Sequence, residues 1–414
     1  MSTARQTIDA AGVHAALKVV PFRRQIAPQR LTRAFWGVMF CFLIHGLVVS
    51  TWVARIASVK GTLHLRDGAL GLALLGTAIG SVTAIPVCGT LVTRYGSRRI
   101  ARWTSVGFSL ALIPLTLAWN AWTLFAALLL YGAMAGSNDV AMNSQAVVTE
   151  RLLGRPTMSR FHAMFSLGGI VGAAAGALIA GRGVKPGVHL AIGAACFVAI
   201  SLSFSRFMIE GRNKKEKSAR LPVNRIPLAL LVLSAIGFCI FLSEGAIADW
   251  TAVYLRQVLG ATEGFAPVGY AVFSAAMATF RFLGDAITLR IGRAWTIRLG
   301  GAIAASGLLW VVFAHSPYWA LVGFAAAGAG FSSIIPLVFA AGGRIPGVNE
   351  GAGVATVSGL GYLGFLVGPP AIGFISEMFS LRAGLFLLVV LSAGAAAMVS
   401  VVQRAGRGAN PLAD

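Results

Sequence analysis

Thirteen acids occur in this 414-residue chain, and Asp139, Glu244, Asp249 and Asp285 are the four that stand inside or at the rim of long apolar runs. A charged group at the centre of a bilayer costs about 3 kcal/mol on insertion scales, so it faces a partner or a water-filled path. Asp139 has polar company: in "GSNDVAMNSQAVV" (136–148), Asn138, Asp139, Asn143 and Gln145 fall within eight residues. On a helix Asp139 and Asn143 share one face, and Asn138 and Gln145 share an adjacent one. Together they cover about half the circumference, too broad for a lipid-facing surface. A helix running inward from Trp122 places Asp139 roughly 25 Å along its length, in the cytoplasmic third. Two roles stay open for it: contact with a solute or proton, and an inner latch with Arg94, Arg98 or Arg155. Asn143 and Gln145 lean to the structural side.

Other candidates lie deeper. His45 falls roughly 16 Å into its apolar run, near mid-depth. There it can hydrogen-bond a hydroxylated solute or accept a proton near neutral pH, and a satisfied packing histidine fits equally well. Glu244 follows a run of eighteen mostly apolar residues, with Gly245 beside it and Asp249 and Trp250 just beyond. Gly245 can ease a local break in the helix. An acid and an aromatic ring at such a break suit a sugar-like solute, the carboxylate taking hydroxyl hydrogens and the ring packing against C–H faces. The alternative makes Trp250 an interfacial anchor and pairs Glu244 with Arg55 or Arg256 in an outer gate. Tyr362 lies near mid-depth of a late run, with Pro369-Pro370 expected to kink the helix beyond it. Arg281 and Asp285 are four apart on one helical face and can pair.

No Ser/His/Asp, Cys/His or metal-spaced cluster appears. Cys41, Cys88, Cys196 and Cys239 all lie in apolar runs, as small hydrophobes do. Neither an enzyme nor a cofactor nor a metal is expected.

Apolar helices must position these groups. The chain is 57% hydrophobic and 11% charged, with 50 glycines, which is the balance of a polytopic membrane protein. Candidate spans of about 20 residues fall at 34–57, 68–92, 101–118, 122–146, 161–180, 188–206, 226–254, 265–287, 297–314, 319–341, 353–376 and 383–402. The expected organisation is a cytoplasmic tail (1–33), a six-helix bundle (34–206), a solvated linker (207–225), a second bundle (226–402) and a short tail (403–414). The first apolar stretch is too long for a signal-peptide core and is read as a retained span. Six basic residues in the tail, four at Arg94, Arg98, Arg99 and Arg102, three at Arg151, Arg155 and Arg160, and seven from Arg206 to Arg225 mark one side. The opposite loops carry Lys60, Arg66, Arg182, Lys185, Arg256 and Arg382. The positive-inside rule then places both termini in the cytoplasm. It also accounts for most of the net charge of +21, so nucleic acid is not the expected partner.

The halves repeat each other. "TRYGSRR" (93–99) is answered by "LRIGRAW" (289–295), Gly168 and Gly172 by Gly364 and Gly368, and His45-Gly46 with Trp52 by Glu244-Gly245 with Trp250. Ser332 and Ser333 match Asn138 and Asp139, so the fold does not need the acid in both halves. A duplicated six-helix unit with parallel halves is a transporter architecture.

The stretch "GTLVTRYGSRR" (89–99) resembles the loop signature of the major facilitator superfamily, with Thr93 where an acid usually stands. "NDVAMNSQAVVTERLLGRP", "FHAMFSLGGIVGAAAG", "SEGAIADWTAVYL" and "GYLGFLVGPPAIGF" resemble the subgroup typified by MosC and YbjJ. The likeness runs through both halves. It implies an all-α polytopic membrane protein of the major facilitator fold, with 12 transmembrane helices in two pseudo-symmetric six-helix bundles. The implied cargo is a polar, polyol-like solute such as an inositol derivative or rhizopine. No arginine precedes Gly132, and the fifth span lacks the Gly-Pro pair of antiporters, which weakens a multidrug reading.

The expected protein is therefore a carrier in the bacterial inner membrane, a monomer in the lipid bilayer, moving a small polar solute by alternating access. Glu244, Asp139 and His45 are the groups that could couple it to protons. An efflux pump for amphipathic compounds and a transport-inactive membrane sensor stand as alternatives.

Overall fold

A computed structural model describes residues 27–154, 157–210, 226–348, 350–405 and 412. Among them the regular structure is all helical. The first half holds α1 (Pro28–Val53), α2 (Ile56–Thr62), α3 (Asp67–Tyr95), α4 (Ser97–Leu110), α5 (Leu112–Thr116), α6 (Ala121–Leu153), α7 (Met158–Gly181) and α8 (Pro186–Ser205). The second holds α9 (Leu228–Gln257), α10 (Val268–Ile291), α11 (Arg293–Phe313), α12 (Pro317–Phe331), α13 (Ile334–Gly342), α14 (Glu350–Met378) and α15 (Leu381–Ala405). Eleven helical stretches are long and apolar enough to cross a membrane, counting α1–α2 and α12–α13 as one each. The twelfth expected crossing, 101–118, is the α4–α5 pair, interrupted at Ala111.

Two interruptions have the same cause. Proline has no N–H to offer the carbonyl four residues back. Pro114 so deprives Leu110, where α4 ends, and Pro336 deprives Ser332, where α12 ends. Other boundaries follow from capping. Asn120 and Thr123 close a reciprocal box at the start of α6, whose end is Gly154 in the left-handed conformation.

The repeat seen in sequence is present in the backbone. Gly96, between α3 and α4, has φ 89° and ψ 146°; Gly292, between α10 and α11, has φ 80° and ψ 157°. Only glycine enters that region readily. The packing repeats too: a side chain at Gly168 of α7 would strike the Leu43 carbonyl of α1, and one at Gly364 of α14 the Phe238 carbonyl of α9. Between halves, α3 lies on α14 and α7 on α10.

The two ends of the molecule differ. At the end where the linker joins, the first linker residues are not solvated as expected. Met208 and Ile209 are buried against the first half. Gln145 Nε2 donates to the Ile209 carbonyl (2.8 Å) and Arg98 to that of Arg206 (3.1 Å), while the Glu210 carboxylate rests on Gly96. At the opposite, far end, the halves meet closely. Gly71 of α3 and Gly373 of α14 touch backbone to backbone, and Gly181 meets Gly264.

Candidate functional site

The four polar residues of α6 go to two places. Asn138 and Gln145, both buried, turn into the first bundle. Asn138 Oδ1 accepts from Ser105 (2.8 Å) and Thr104 (3.1 Å), and its Nδ2 meets His45 Nδ1 at 3.0 Å. An amide nitrogen can only donate, so Nδ1 of His45 accepts and the ring carries its proton on Nε2. His45 is 7% exposed and packs against Phe108 and Phe165. Gln145 Oε1 accepts from Ser97 (2.8 Å). Asp139 and Asn143 take the other face, more accessible, where Asn143 Nδ2 donates to the Asp139 carboxylate at 3.1 Å.

Among the described residues Asp139 forms no ion pair. Arg94 lies over the Tyr95 ring and Arg98 bonds the Arg206 carbonyl, so neither holds Asp139. Arg155 lies outside the described residues.

In the second half, three sequence expectations need correction. First, α9 runs unbroken through Gly245, whose bare Cα admits the Phe365 ring. Second, Trp250 is fully buried, so its ring is neither an interfacial anchor nor a platform open to a solute. Third, Arg281 does not pair with Asp285. Its Nε donates instead to the Ser332 carbonyl (3.3 Å), the acceptor that Pro336 leaves without a helical donor.

What does converge on the seam comes from both halves. Glu244 is half-buried on α9, its Oε1 enclosed and without a hydrogen-bond partner among the described residues. Arg281 and the phenols of Tyr270 and Tyr362 stand within coulombic range of it. Asp249, one and a half turns on, is in range of Tyr270 and of Tyr131 from α6. Asp139 is in range of Tyr362, and His162 of Arg281. Tyr362 is 42% exposed, stacks on Phe365 and meets Phe241 at a tilt. Asp285 is exposed on α10 and forms none of the ion pairs found among the described residues.

Hydrogen bonds and ion pairs joining the described residues of the two halves cluster at the far end. Arg55 is completely buried, donates from Nε to His189 Nδ1 (2.9 Å) and meets the Glu263 carboxylate at 3.5 Å. Ser58 also donates to Glu263, and Arg256 lies 3.8 Å from it. Lys60 bonds Gln257 (2.8 Å) and pairs with Asp67 (2.7 Å). Arg66 pairs with Glu377 (2.9 Å), which also takes the Gly68 N–H (2.8 Å). The outer pairing expected of Glu244 with Arg55 or Arg256 thus belongs to Glu263. Glu263, Glu377 and Asp67 are not among the four acids that stand out within the apolar runs of the sequence. The available signal was that they are the acids of the weakly basic loops, opposite Lys60, Arg66 and Arg256. Tyr131 and Tyr270 were missed because a tyrosine in an apolar run reads as core.

Such an arrangement gathers hydrogen-bond acceptors, phenols and one guanidinium from the two halves. It carries no metal-ligating group of three or more among the described residues.

Three comparisons bear on it. Residues 38–350 match the family model of the Major Facilitator Superfamily. An uncharacterised MFS-type transporter of Yersinia pestis is 34% identical over 365 residues, covering 88% of this chain and 94% of the relative. The membrane protein MosC of Rhizobium meliloti is 32% identical over 357 residues, covering 86% of each chain. Among solved structures, the nucleoside transporter NupG superposes with a TM-score of 0.72 at 11% identity, over 89% of this chain and 98% of that one, a likeness of fold.

Proposed function

Because this chain belongs to the major facilitator superfamily, we propose that it carries a small, polar, hydroxylated solute across a bacterial inner membrane by alternating access. What supports the solute site is that groups of the two halves lie within electrostatic reach of one another: Asp139 of Tyr362, Tyr131 of Asp249 and His162 of Arg281. Groups from both halves around one guest let rocking of the halves expose it first to one side, then to the other.

In this reading Glu244, Asp249 and Asp139 accept hydroxyl hydrogens, and Tyr270 and Tyr362 supply both rings and phenols. His45 acts through Asn138, as a support for α6. Trp250 keeps α9 in place. Glu244 and Asp139 are the proton-coupling groups, and the protein works as a monomer with both termini in the cytoplasm. The far-end ion pairs then form the closed outer gate, and the seam opens inward.

The test is counterflow in proteoliposomes with a panel of radiolabelled sugars and cyclitols. Saturable flux of a polar solute is expected, reduced by about tenfold or more in Glu244→Gln, the loss of one charged hydrogen-bond partner. Flux of amphipathic dyes with none of polyols overturns the solute class. No flux of either overturns transport and leaves a sensor.

A further inference from the structure

Arg55 is held in the far-end seal by a histidine. A guanidinium nitrogen can only donate, so the 2.9 Å contact of Arg55 Nε with His189 makes Nδ1 of the ring the acceptor and leaves its proton on Nε2. The guanidinium is always charged. A second proton on the imidazole would set N–H against N–H and one cation against another. It would do so where Arg55 is completely buried and His189 is 7% exposed, a costly place for like charges.

Arg55 has little else to hold it. Its two terminal nitrogens have no hydrogen-bond partner among the described residues, and the Glu263 carboxylate stands 3.5 Å from one of them. Glu263 is shared with Ser58 and with Arg256, at 3.8 Å. Lys60 is committed to Asp67 and Gln257. The elements packed on α8 bring no other titratable side chain to this end of it. There α7 presents Gly176 to the ring, α5 carries none along Leu112–Thr116, and α1 and α4 carry none over 50–53 and 105–110. Lys185 lies one turn before His189 on its own helix.

We propose that His189 is a proton switch on the far-end seal. Neutral, its Nδ1 keeps Arg55 in place beside Glu263; protonated, it repels Arg55, and the halves part at that end. This inference rests on the reading of the far-end contacts as an outer gate, and adds the group that operates it. Linkage gives the sign. In the open form the ring is an ordinary imidazole that titrates at about 6.5, whereas the closed contact admits it only neutral. Opening therefore takes up one proton. The open-to-closed ratio is flat above about pH 7 and rises about tenfold per unit as the pH falls below about 6.

Nitroxide labels on the two halves test it. Gly61→Cys and His315→Cys, both exposed at the far end, are labelled in a background of Cys196→Ser and His64→Asn. The other native cysteines are buried, and His189 is then the histidine that remains at that end. The full chain is placed in lipid nanodiscs, and the label separation is measured by double electron–electron resonance. Between pH 7.5 and 5.5 the ratio of long to short separations is expected to rise about tenfold. His189→Gln, whose amide oxygen can accept from Arg55 but takes no proton, should stay closed throughout. Glu263→Gln should widen the pair at pH 7.5.

A separation that ignores pH overturns the proposal. So does a pH response that persists in His189→Gln, which would belong to a group of the seam. If His189→Gln does not fold, the onset in the parent decides: a rise that begins only below about pH 5 belongs to a carboxylate and overturns the switch. Widening in Glu263→Gln without widening in acid leaves the outer gate standing and removes His189 from it. No widening under any of these conditions overturns the gate reading, and the inference with it.

Discussion

Asn138 shows at single-residue scale how one side chain can organise a neighbourhood. Its amide serves three partners, Ser105, Thr104 and His45, inside the first bundle. Removing it by Asn138→Ala leaves His45 without its amide partner, while Thr104 keeps the Ile100 carbonyl and Ser105 the Cys41 thiol; a buried polar group left without its partner costs about 1–3 kcal/mol. A lower thermal midpoint is expected, measured by unfolding of the purified protein in detergent. Asn143→Ala should change that midpoint little, since its bonds are to its own helix on an accessible face. The division of the α6 polar residues into two faces was legible in sequence, because helical periodicity alone separates Asn138 and Gln145 from Asp139 and Asn143. Which face entered the bundle was not. That depended on Ser105, Ser97 and Ile209, brought alongside by tertiary packing.

Helix boundaries carry the evidence of duplication at the next scale. Gly96 and Gly292 share a backbone conformation, with ψ near the extended range and φ strongly positive. Asparagine tolerates left-handed turns but not this region, which costs other residues about 1–3 kcal/mol. Gly292→Ala and Gly292→Asn are therefore both expected to lower the unfolding midpoint, and asparagine should give no rescue over alanine. The loop repeat that predicts this was plain in "TRYGSRR" and "LRIGRAW". The destination of Arg281 was not. An i,i+4 acid is an obvious partner in sequence, whereas the carbonyl freed by Pro336 becomes visible once α12 and α10 lie side by side.

For the whole molecule, the ion pairs and hydrogen bonds between the halves gather at the far end. Glu263 meets Arg55, Arg256 and Ser58, and so joins α2, α9 and the loop after it. Glu263→Gln leaves the buried Arg55 without its carboxylate, a loss of about 1–3 kcal/mol, lessened by the 36% exposure of Glu263. The closed far end should lose population. A cysteine at the buried position Ala57 should then react about tenfold faster with a membrane-impermeant maleimide than in the parent. An unchanged rate would mean that the glycine contacts of α3 with α14, and not the ion pairs, hold that end shut. The long apolar helices and their arrangement in two halves were readable from hydropathy and from the repeated loops. The seal was not, because its acids sit outside the apolar runs where scarcity makes an acid conspicuous.

The docked start of the linker has a mechanical meaning. The stretch Arg206–Glu210 is fastened to the first half at Arg98, Gly96 and Gln145. A tether between moving bodies transmits force at its anchor points, and here one anchor lies beyond the end of α8. A pull along the chain after Glu210, which extends at most about 3.5 Å per residue, would be delivered to the α3–α4 corner and to α6. It would bypass α8, the helix that precedes the tether in sequence. If the halves rock as proposed, the first of them extends to Glu210 and carries the α3–α4 glycine corner with it.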